Sequence, residues 1–357
     1  MIDFFSGESH LLLNPRLPDE DRRALERLAA EVPALRGHVW IATSGTSGAL
    51  RLVALSKQAI VTSAEAVNRH LDATAHDVWF CVLPTFHVGG LGIYARAALA
   101  GSRVIASDWD ARQFIGTVST ENVTLASLVP AQVRDLVSLG TRAPRSIRAI
   151  VVGGGATVHD LYDGARSLGW PVLPSYGMTE ACSQIATARG ESPDLRILSH
   201  IRVRGEDDQR LAFSGPSLLT GYAFFDDRGR GAFVDPKVDG WFASEDRGEV
   251  DGEILRPLGR AGAFVKIGGE SVDLSRLDAI LESVRGTVDA AIIPVVDDRL
   301  GHVIEIATVN GDVEEIVRAF NARVLPFERI RAVRRVGSIP RSPLGKLLRA
   351  KLIAELQ

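Results

Sequence analysis

Val39-Trp40-Ile41-Ala42-Thr43-Ser44-Gly45-Thr46-Ser47-Gly48 sets an apolar, strand-like run against a stretch with no bulky side chain, and a second apolar run, Leu52-Val53-Ala54-Leu55, follows. A loop of hydroxyls and glycines leaving a strand presents backbone N–H groups and Oγ donors, and such concavities favour anions, phosphate above all. Read alone, the same stretch is equally a flexible surface turn. What surrounds it decides between the two.

From Val39 onward the chain alternates. Strand-like runs at 39–42, 78–83, 103–106, 123–129, 147–152 and 172–174 are separated by helical patterns from about Ser56 and near 90–100, 111–118, 131–139 and 157–168. Strands rich in Val, Ile and Leu between helices are the sequence form of a mostly parallel, helix-covered sheet. The loops after these strands read Thr43 to Gly48, Pro84-Thr85-Phe86-His87, Pro130-Ala131-Gln132, Gly153-Gly154-Gly155-Ala156 and Ser175-Tyr176-Gly177-Met178-Thr179-Glu180. Ligands of open α/β sheets bind outside the carboxyl ends of strands, so these loops are expected on one rim. Ahead of them, Asp19 to Val32 reads as a helix with acids in its first turn.

Beyond residue 201 short runs broken by Gly and Asp predict a β-rich subdomain, and Gly259-Arg260-Ala261-Gly262 reads as a hinge. Helices at 274–284 and 312–324, with strands near 288–296 and 303–309, suffice for a small α+β domain. The expected fold is therefore α/β: a large N-terminal domain, 1–258, and a small, mobile C-terminal domain, 259–357.

Composition narrows the function. With 357 residues and 46% hydrophobic content the chain can fill a real core. Its 41 basic and 44 acidic residues leave a net charge of −3, which gives no electrostatic case for nucleic acid or an anionic membrane. Two cysteines, Cys81 and Cys182, make neither a disulfide framework nor a thiolate metal site. Met1-Ile2-Asp3-Phe4 has no basic leader, and no apolar run reaches the roughly 20 residues of a membrane span. A cytoplasmic protein is expected, its oligomeric state open.

Several chemistries fail on spacing. Gly45 and Gly48 are three apart and precede Ala49, which is not the Gly-Lys-Ser/Thr ending of a P-loop. After Gly153 and Gly155 the third dinucleotide position is Val158, with no acid at the expected distance. There is no G-x-S-x-G elbow, and the histidines lack ligand spacing.

An ordered set does fit. The stretch 43–48, Leu83-Pro84-Thr85-Phe86-His87, Gly153-Gly154-Gly155-Ala156, Tyr176-Gly177-Met178-Thr179-Glu180, Gly240-Trp241-Phe242-Ala243-Ser244-Glu245-Asp246, Gly259-Arg260, Lys266-Ile267-Gly268-Gly269-Glu270 and Pro340-Arg341-Ser342-Pro343-Leu344-Gly345-Lys346 resembles, in order, the core motifs of the adenylate-forming acyl-CoA synthetases. Within that family the likeness is greatest to the short actinobacterial-type ligases that act on 2-succinylbenzoate in menaquinone synthesis. The Gly-rich loop comes early in the chain, as it does there, and Arg96, in His87-Val88-Gly89-Gly90-Leu91-Gly92-Ile93-Tyr94-Ala95-Arg96, matches an arginine associated with the substrate's second carboxylate.

The resemblance implies ATP, Mg2+ and CoA, and a two-step ligase reaction through an acyl-adenylate. It implies that Thr43, Ser44, Gly45, Thr46, Ser47 and Gly48 hold the β- and γ-phosphates, that Glu180 binds Mg2+, and that Thr179 meets the α-phosphate. Gly154, Gly155 and Tyr176, with Gly177 beside them, would form the adenine site. Asp246 would accept from the ribose hydroxyls, and Arg260 would reach ribose or phosphate. Lys346 would bridge the attacking carboxylate and the α-phosphate, while Gly268 and Gly269 would approach CoA. His87 either gates the acyl pocket or is a satisfied loop histidine.

Arg96 can also be judged without the family. It interrupts an apolar helix, so it either snorkels to solvent, pairs with an internal acid, or awaits an anionic substrate. Four positions depart from the family pattern. Leu50-Arg51 replaces Pro-Lys, so a planar donor stands where a point charge is usual. Glu245 replaces a glycine, and Gly262 stands where Asp or Lys is common; glycine there still permits a wide backbone rotation. Two other readings stay open: a ligase for another acid, for which a monocarboxylic lipid would not need Arg96, and a nucleotide-binding scaffold without catalysis, against which Glu180 and Lys346 speak.

Overall fold

In the computed structural model the described residues are 2–44, 50–155, 159–206, 209–260, 264–267, 270–297, 300–342 and 345–356. They divide into two units, Met1–Ser244 with Glu249–Arg256, and Glu245–Gly248 with Pro257–Gln357.

The first unit opens with β1 (His10–Leu12), α1 (Asp19–Glu31), β2 (His38–Ser44), β3 (Leu50–Ser56) and α2 (Lys57–His70). Strands β2 and β3 are antiparallel, with Thr43 opposite Arg51. The two apolar runs flanking the Gly-rich stretch are thus antiparallel partners in a separate sheet, and residues 39–42 do not join the parallel sheet that the alternation suggested. Connection length explains the difference: so short a link can return an antiparallel strand, whereas a parallel crossover needs about a dozen residues. Both faces of this pair are buried. Val39, Ile41, Val53 and Leu55 pack with Ala59 and Ile60 of α2, while Trp40, Leu52 and Ala54 pack with Leu25 and Leu28 of α1. Ser56 caps α2 by accepting from the Ala59 amide at 3.0 Å, worth about 1 kcal/mol.

The parallel sheet follows: β4 (Val78–Cys81), α3 (Val88–Ala100), β5 (Arg103–Ala106), α4 (Ala111–Thr120), β6 (Leu125–Leu128), α5 (Pro130–Ser138), β7 (Ala149–Val152), α6 (His159–Ser167) and β8 (Val172–Met178). Strand order is β8-β7-β6-β4-β5, all parallel. Strand alternation gives each face its own core. Phe80, Ala126, Leu128, Ile150, Val152 and Val172 meet α4, α5 and α6, while Trp79, Cys81, Leu125, Ala149, Val151 and Leu173 meet α2 and α3.

Strands β9 (Ser183–Arg189), β10 (Ser192–Ile197), β11 (Arg202–Gly205), β12 (Arg210–Ser214), β13 (Gly221–Phe225), β14 (Gly231–Val234), β15 (Phe242–Asp251) and β16 (Ile254–Arg260) form the β-rich part. Six of them extend the parallel sheet in the order β11-β12-β15-β16-β10-β9-β8, and β13 and β14 return to β3. Strand β8 runs on through Met178, pairing antiparallel with β9, so Ser175 to Met178 are strand where a loop was expected. Glu245 and Asp246 are likewise mid-strand in β15, and the expected hinge residues Gly259 and Arg260 end β16. Ala261 and Gly262 lie outside the described residues.

The second unit contains β17 (Phe264–Ile267), β18 (Glu270–Asp273), α7 (Leu274–Val284), β19 (Ala290–Asp297), β20 (Gly301–Thr308), α8 (Glu314–Asn321), β21 (Ile330–Arg335) and α9 (Arg349–Ala354). Helices α7 and α8 cover one face of the β19-β20-β21 sheet through Leu277, Leu281, Ile316 and Phe320. Leu352 of α9 packs with Ala291, Ile293 and Ala307 on the other face. Among the described residues no helix is long and apolar enough to cross a membrane.

Candidate active site

Thr43 ends β2, Arg51 lies on β3, and Glu180 sits in the 3-10 turn Thr179–Ala181 that follows β8. Thr43 and Arg51 are opposed on one sheet and Glu180 follows a strand of another, yet the three side chains meet. The Arg51 guanidinium donates from Nη2 to Glu180 Oε1 at 3.2 Å and from Nε to Thr43 Oγ1 at 3.4 Å. Tyr222 of β13 donates its hydroxyl to the same Glu180 oxygen at 2.8 Å, and Arg51 lies 4.0 Å over its ring. The backbone holds this arrangement. The Leu219 amide donates to Glu180 O at 2.7 Å, and the Thr220 amide to Ala54 O at 2.8 Å. A partly buried carboxylate suits a hard cation that takes one protein carboxylate plus phosphate oxygens. Among the described residues no cluster of three or more His, Cys, Asp or Glu could hold a metal by itself.

A second polar centre lies beneath α3. Arg96 is only 2% exposed. Its Nη2 donates to Ser183 Oγ at 3.0 Å, and its guanidinium lies 5.6 Å from the Trp79 ring. Nε and Nη1 have no hydrogen-bond partner among the described residues. Of the three readings of Arg96, snorkelling is excluded by its burial, and no described acid pairs with it. Burial lowers its pKa to about 10, the neighbouring Cys81 opposing that shift. Two glycines of α3 pack closely here: a Cβ on Gly90 would lie 2.3 Å from Pro84 O, where only a bare backbone fits, and one on Gly92 would lie 3.0 Å from Arg96 Nη2 and press on that side chain.

His87 stands at the N-cap of α3, half-buried, its ring 4.7 Å from Phe86. Burial lowers its pKa, and Nε2 has no partner among the described residues. Cys81 lies near Arg96 and is kept a thiol by burial, which raises its pKa. On the next strand Ser127 pairs opposite Cys81 and has a buried hydroxyl without a described partner.

The nucleotide candidates belong to both units. Gly154 and Gly155 are exposed after β7, Gly154 at φ +79°, a conformation that favours glycine. Tyr176 is half-buried in β8, its ring 6.1 Å from Phe213. Gly177 makes a close backbone approach: a Cβ there would lie 1.8 Å from Ser183 O. Asp246, half-buried, belongs to the part of β15 assigned to the second unit. Lys346 is exposed in that unit, its amide donating to Ser342 Oγ at 3.1 Å and its carbonyl accepting from the Ser342 amide at 2.7 Å. Gly45, Thr46, Ser47, Gly48, Gly268 and Gly269, and the side chains of Ser44 and Arg260, lie outside the described residues.

Sequence reasoning missed Tyr222, Trp79, Ser127 and Ser183. An aromatic in an apolar strand, or a serine beside small residues, carries no chemical signal until the strands are paired.

The profile of the AMP-binding enzyme family matches residues 16–217. The 2-succinylbenzoate--CoA ligase of Bacillus licheniformis is 29% identical over 330 residues, which cover 87% of this chain and 68% of that protein. The o-succinylbenzoate CoA synthetase of Bacillus subtilis, solved with the acyl-adenylate intermediate OSB-AMP, superposes at a TM-score of 0.78 and 26% identity, over 88% of this chain and 68% of that one. Solved with ATP and magnesium ion, it gives 0.77 and 25%, over 88% and 69%.

Proposed function

This chain belongs to the AMP-binding enzyme family, and on that premise we propose that it is an AMP-forming 2-succinylbenzoate:CoA ligase of menaquinone biosynthesis. The observation that carries the substrate is Arg96, a buried cation with no described acid to neutralise it. Such a charge is costly without a counter-ion, and the second carboxylate of 2-succinylbenzoate supplies one. Ser183 holds the guanidinium on one side, and His87 starts the helix that carries it.

In the first step a carboxylate oxygen of the substrate attacks the α-phosphorus of ATP, and the bond to pyrophosphate breaks. In the second, the CoA sulfur attacks the acyl carbon, AMP leaves, and the thiol proton is lost. Charge develops on oxygens in both steps, so positioned cations and N–H donors matter more than acid/base groups. Thr43 to Gly48 would cradle the β- and γ-phosphates, with Arg51 supplying the charge that the family's lysine supplies elsewhere. Thr179 would meet the α-phosphate. Glu180 would hold Mg2+, which when bound neutralises charge on the phosphate oxygens.

Gly154, Gly155, Tyr176 and Gly177 would form the adenine site, and Asp246 and Arg260 would bind the ribose. Lys346 would bring a cation to the reacting carboxylate and α-phosphate; removing one such donor costs roughly 10² to 10³ in rate. Gly268 and Gly269 would admit CoA. A cytoplasmic location belongs to the proposal too, supported by two buried, unpaired cysteines.

The test is a panel of mono- and dicarboxylic acids with ATP, Mg2+ and CoA, following pyrophosphate and the CoA ester. Turnover with 2-succinylbenzoate well above every monocarboxylic acid is expected. Preference for a monocarboxylic acid would overturn the substrate assignment.

A further inference from the structure

We propose that Tyr222 is the positioning residue of the metal carboxylate: its hydroxyl, with Arg51, fixes Oε1 of Glu180 and leaves Oε2 as the oxygen offered to the divalent cation. The inference rests on the functional reading above and extends it to a residue with no chemical role in that reading.

Three observations converge on Tyr222. First, two donors meet at one carboxylate oxygen, the Tyr222 hydroxyl at 2.8 Å and Arg51 Nη2 at 3.2 Å. Among the described residues Oε2 has no hydrogen-bond partner. Second, the two donors brace each other. Tyr222 is 8% exposed, with Arg51 lying over its ring, so neither side chain can turn away without breaking the other's contact. Third, backbone pairing sets the register. Tyr222 lies opposite Val53 of β3, two residues from Arg51, and the Leu219 amide ties the same segment to the Glu180 carbonyl. A glutamate in a short turn would otherwise sample several rotamers. Here one oxygen is committed before any cation arrives. Partners of this kind orient metal ligands, and their loss typically weakens metal affinity about 10- to 100-fold.

The experiment uses Mn2+ as a spectroscopically visible probe and β,γ-methylene ATP as a non-reacting nucleotide. Tyr222→Phe keeps the ring under Arg51 and removes only the hydroxyl. It should weaken Mn2+ binding to the protein–nucleotide complex about 10- to 100-fold, while metal-free nucleotide affinity stays near wild type. A merely structural role would weaken both together. Glu180→Asp, which withdraws the carboxylate by one methylene, tests the pair in a cycle: if Tyr222 acts through Glu180, the two losses do not multiply.

Wild-type Mn2+ affinity in Tyr222→Phe, or losses that multiply, would overturn the proposal. Should the Phe variant fail to fold, undiminished Mn2+ binding by Glu180→Asp would overturn it equally. A wild-type protein that binds no Mn2+–nucleotide would instead overturn the functional reading on which this rests.

Discussion

Arg96 sets stability against function. A guanidinium that is 2% exposed and makes one described hydrogen bond gives little back for its lost hydration. Replacing such a group by an apolar side chain of similar volume is often neutral or stabilising. Arg96→Met should therefore melt no lower than wild type in the absence of substrate. Its KM for 2-succinylbenzoate should rise at least about thirtyfold, the equivalent of ~2 kcal/mol for a lost buried charge pair. Thermal melting beside steady-state kinetics checks both halves; a lower melting temperature with unchanged KM would mean a purely structural arginine. Arg96 was legible in the sequence because a charge interrupts an apolar helix. Ser183 and Trp79 were not, since their part depends on which strand faces α3.

At the scale of elements, β8 and β9 approach each other closely at Gly177. Gly177 leaves no room for a Cβ beside the Ser183 carbonyl, while Ser183 also accepts from Arg96. Ser183, opposite Met178, is held at φ +136° after Cys182 at φ +59°, and the β8–β9 register shifts between Tyr176 and Gly177. Gly177→Ala should push the strands apart, costing about 1–3 kcal/mol and weakening nucleotide and acid binding together. Denaturant unfolding and binding titrations measure this; unchanged stability would contradict the close approach. The helices and the Val- and Ile-rich strands could be read from periodicity alone. The antiparallel partner of β2 could not, because its apolar residues are buried on both faces and alternation signals only one. Strand β21 was missed for the opposite reason: Ile330-Arg331-Ala332-Val333-Arg334-Arg335 is exposed except at Ile330 and reads as a charged loop.

For the whole molecule, acid should act in two stages. Burial pushes the pKa of His200 down from 6.5 to about 4, with the Gln184 backbone opposing. Between those values the unfolded chain binds the proton more readily, so stability falls as pH drops from 6.5 toward 4. His87, lowered by burial, acts in the same sense. Asp77 then takes over. Burial alone would raise its pKa, but hydrogen bonds from Arg148, the Thr74 amide and Thr124 hold it at about 2 against 3.8. Its contribution is complete above 3.8 and is lost as pH falls from there through 2. Melting temperature against pH should show both stages, and His200→Gln should flatten the first; an unchanged slope in that variant would contradict it.

At this scale the ordered motifs were legible across the chain, whereas the meeting of Arg51, Tyr222 and Glu180 depends on a strand that returns to β3 from residue 221. No local pattern encodes that return.

The central claim, that 2-succinylbenzoate is activated as an acyl-adenylate, is tested most directly by isotope transfer. The enzyme is given 2-succinylbenzoate carrying 18O in its carboxylates, together with ATP, Mg2+ and CoA, and the nucleotide product is analysed by mass spectrometry. The account predicts AMP carrying a single 18O from the attacking carboxylate, with the CoA ester formed in equal amount. ADP as the nucleotide product, or AMP without label, would contradict it.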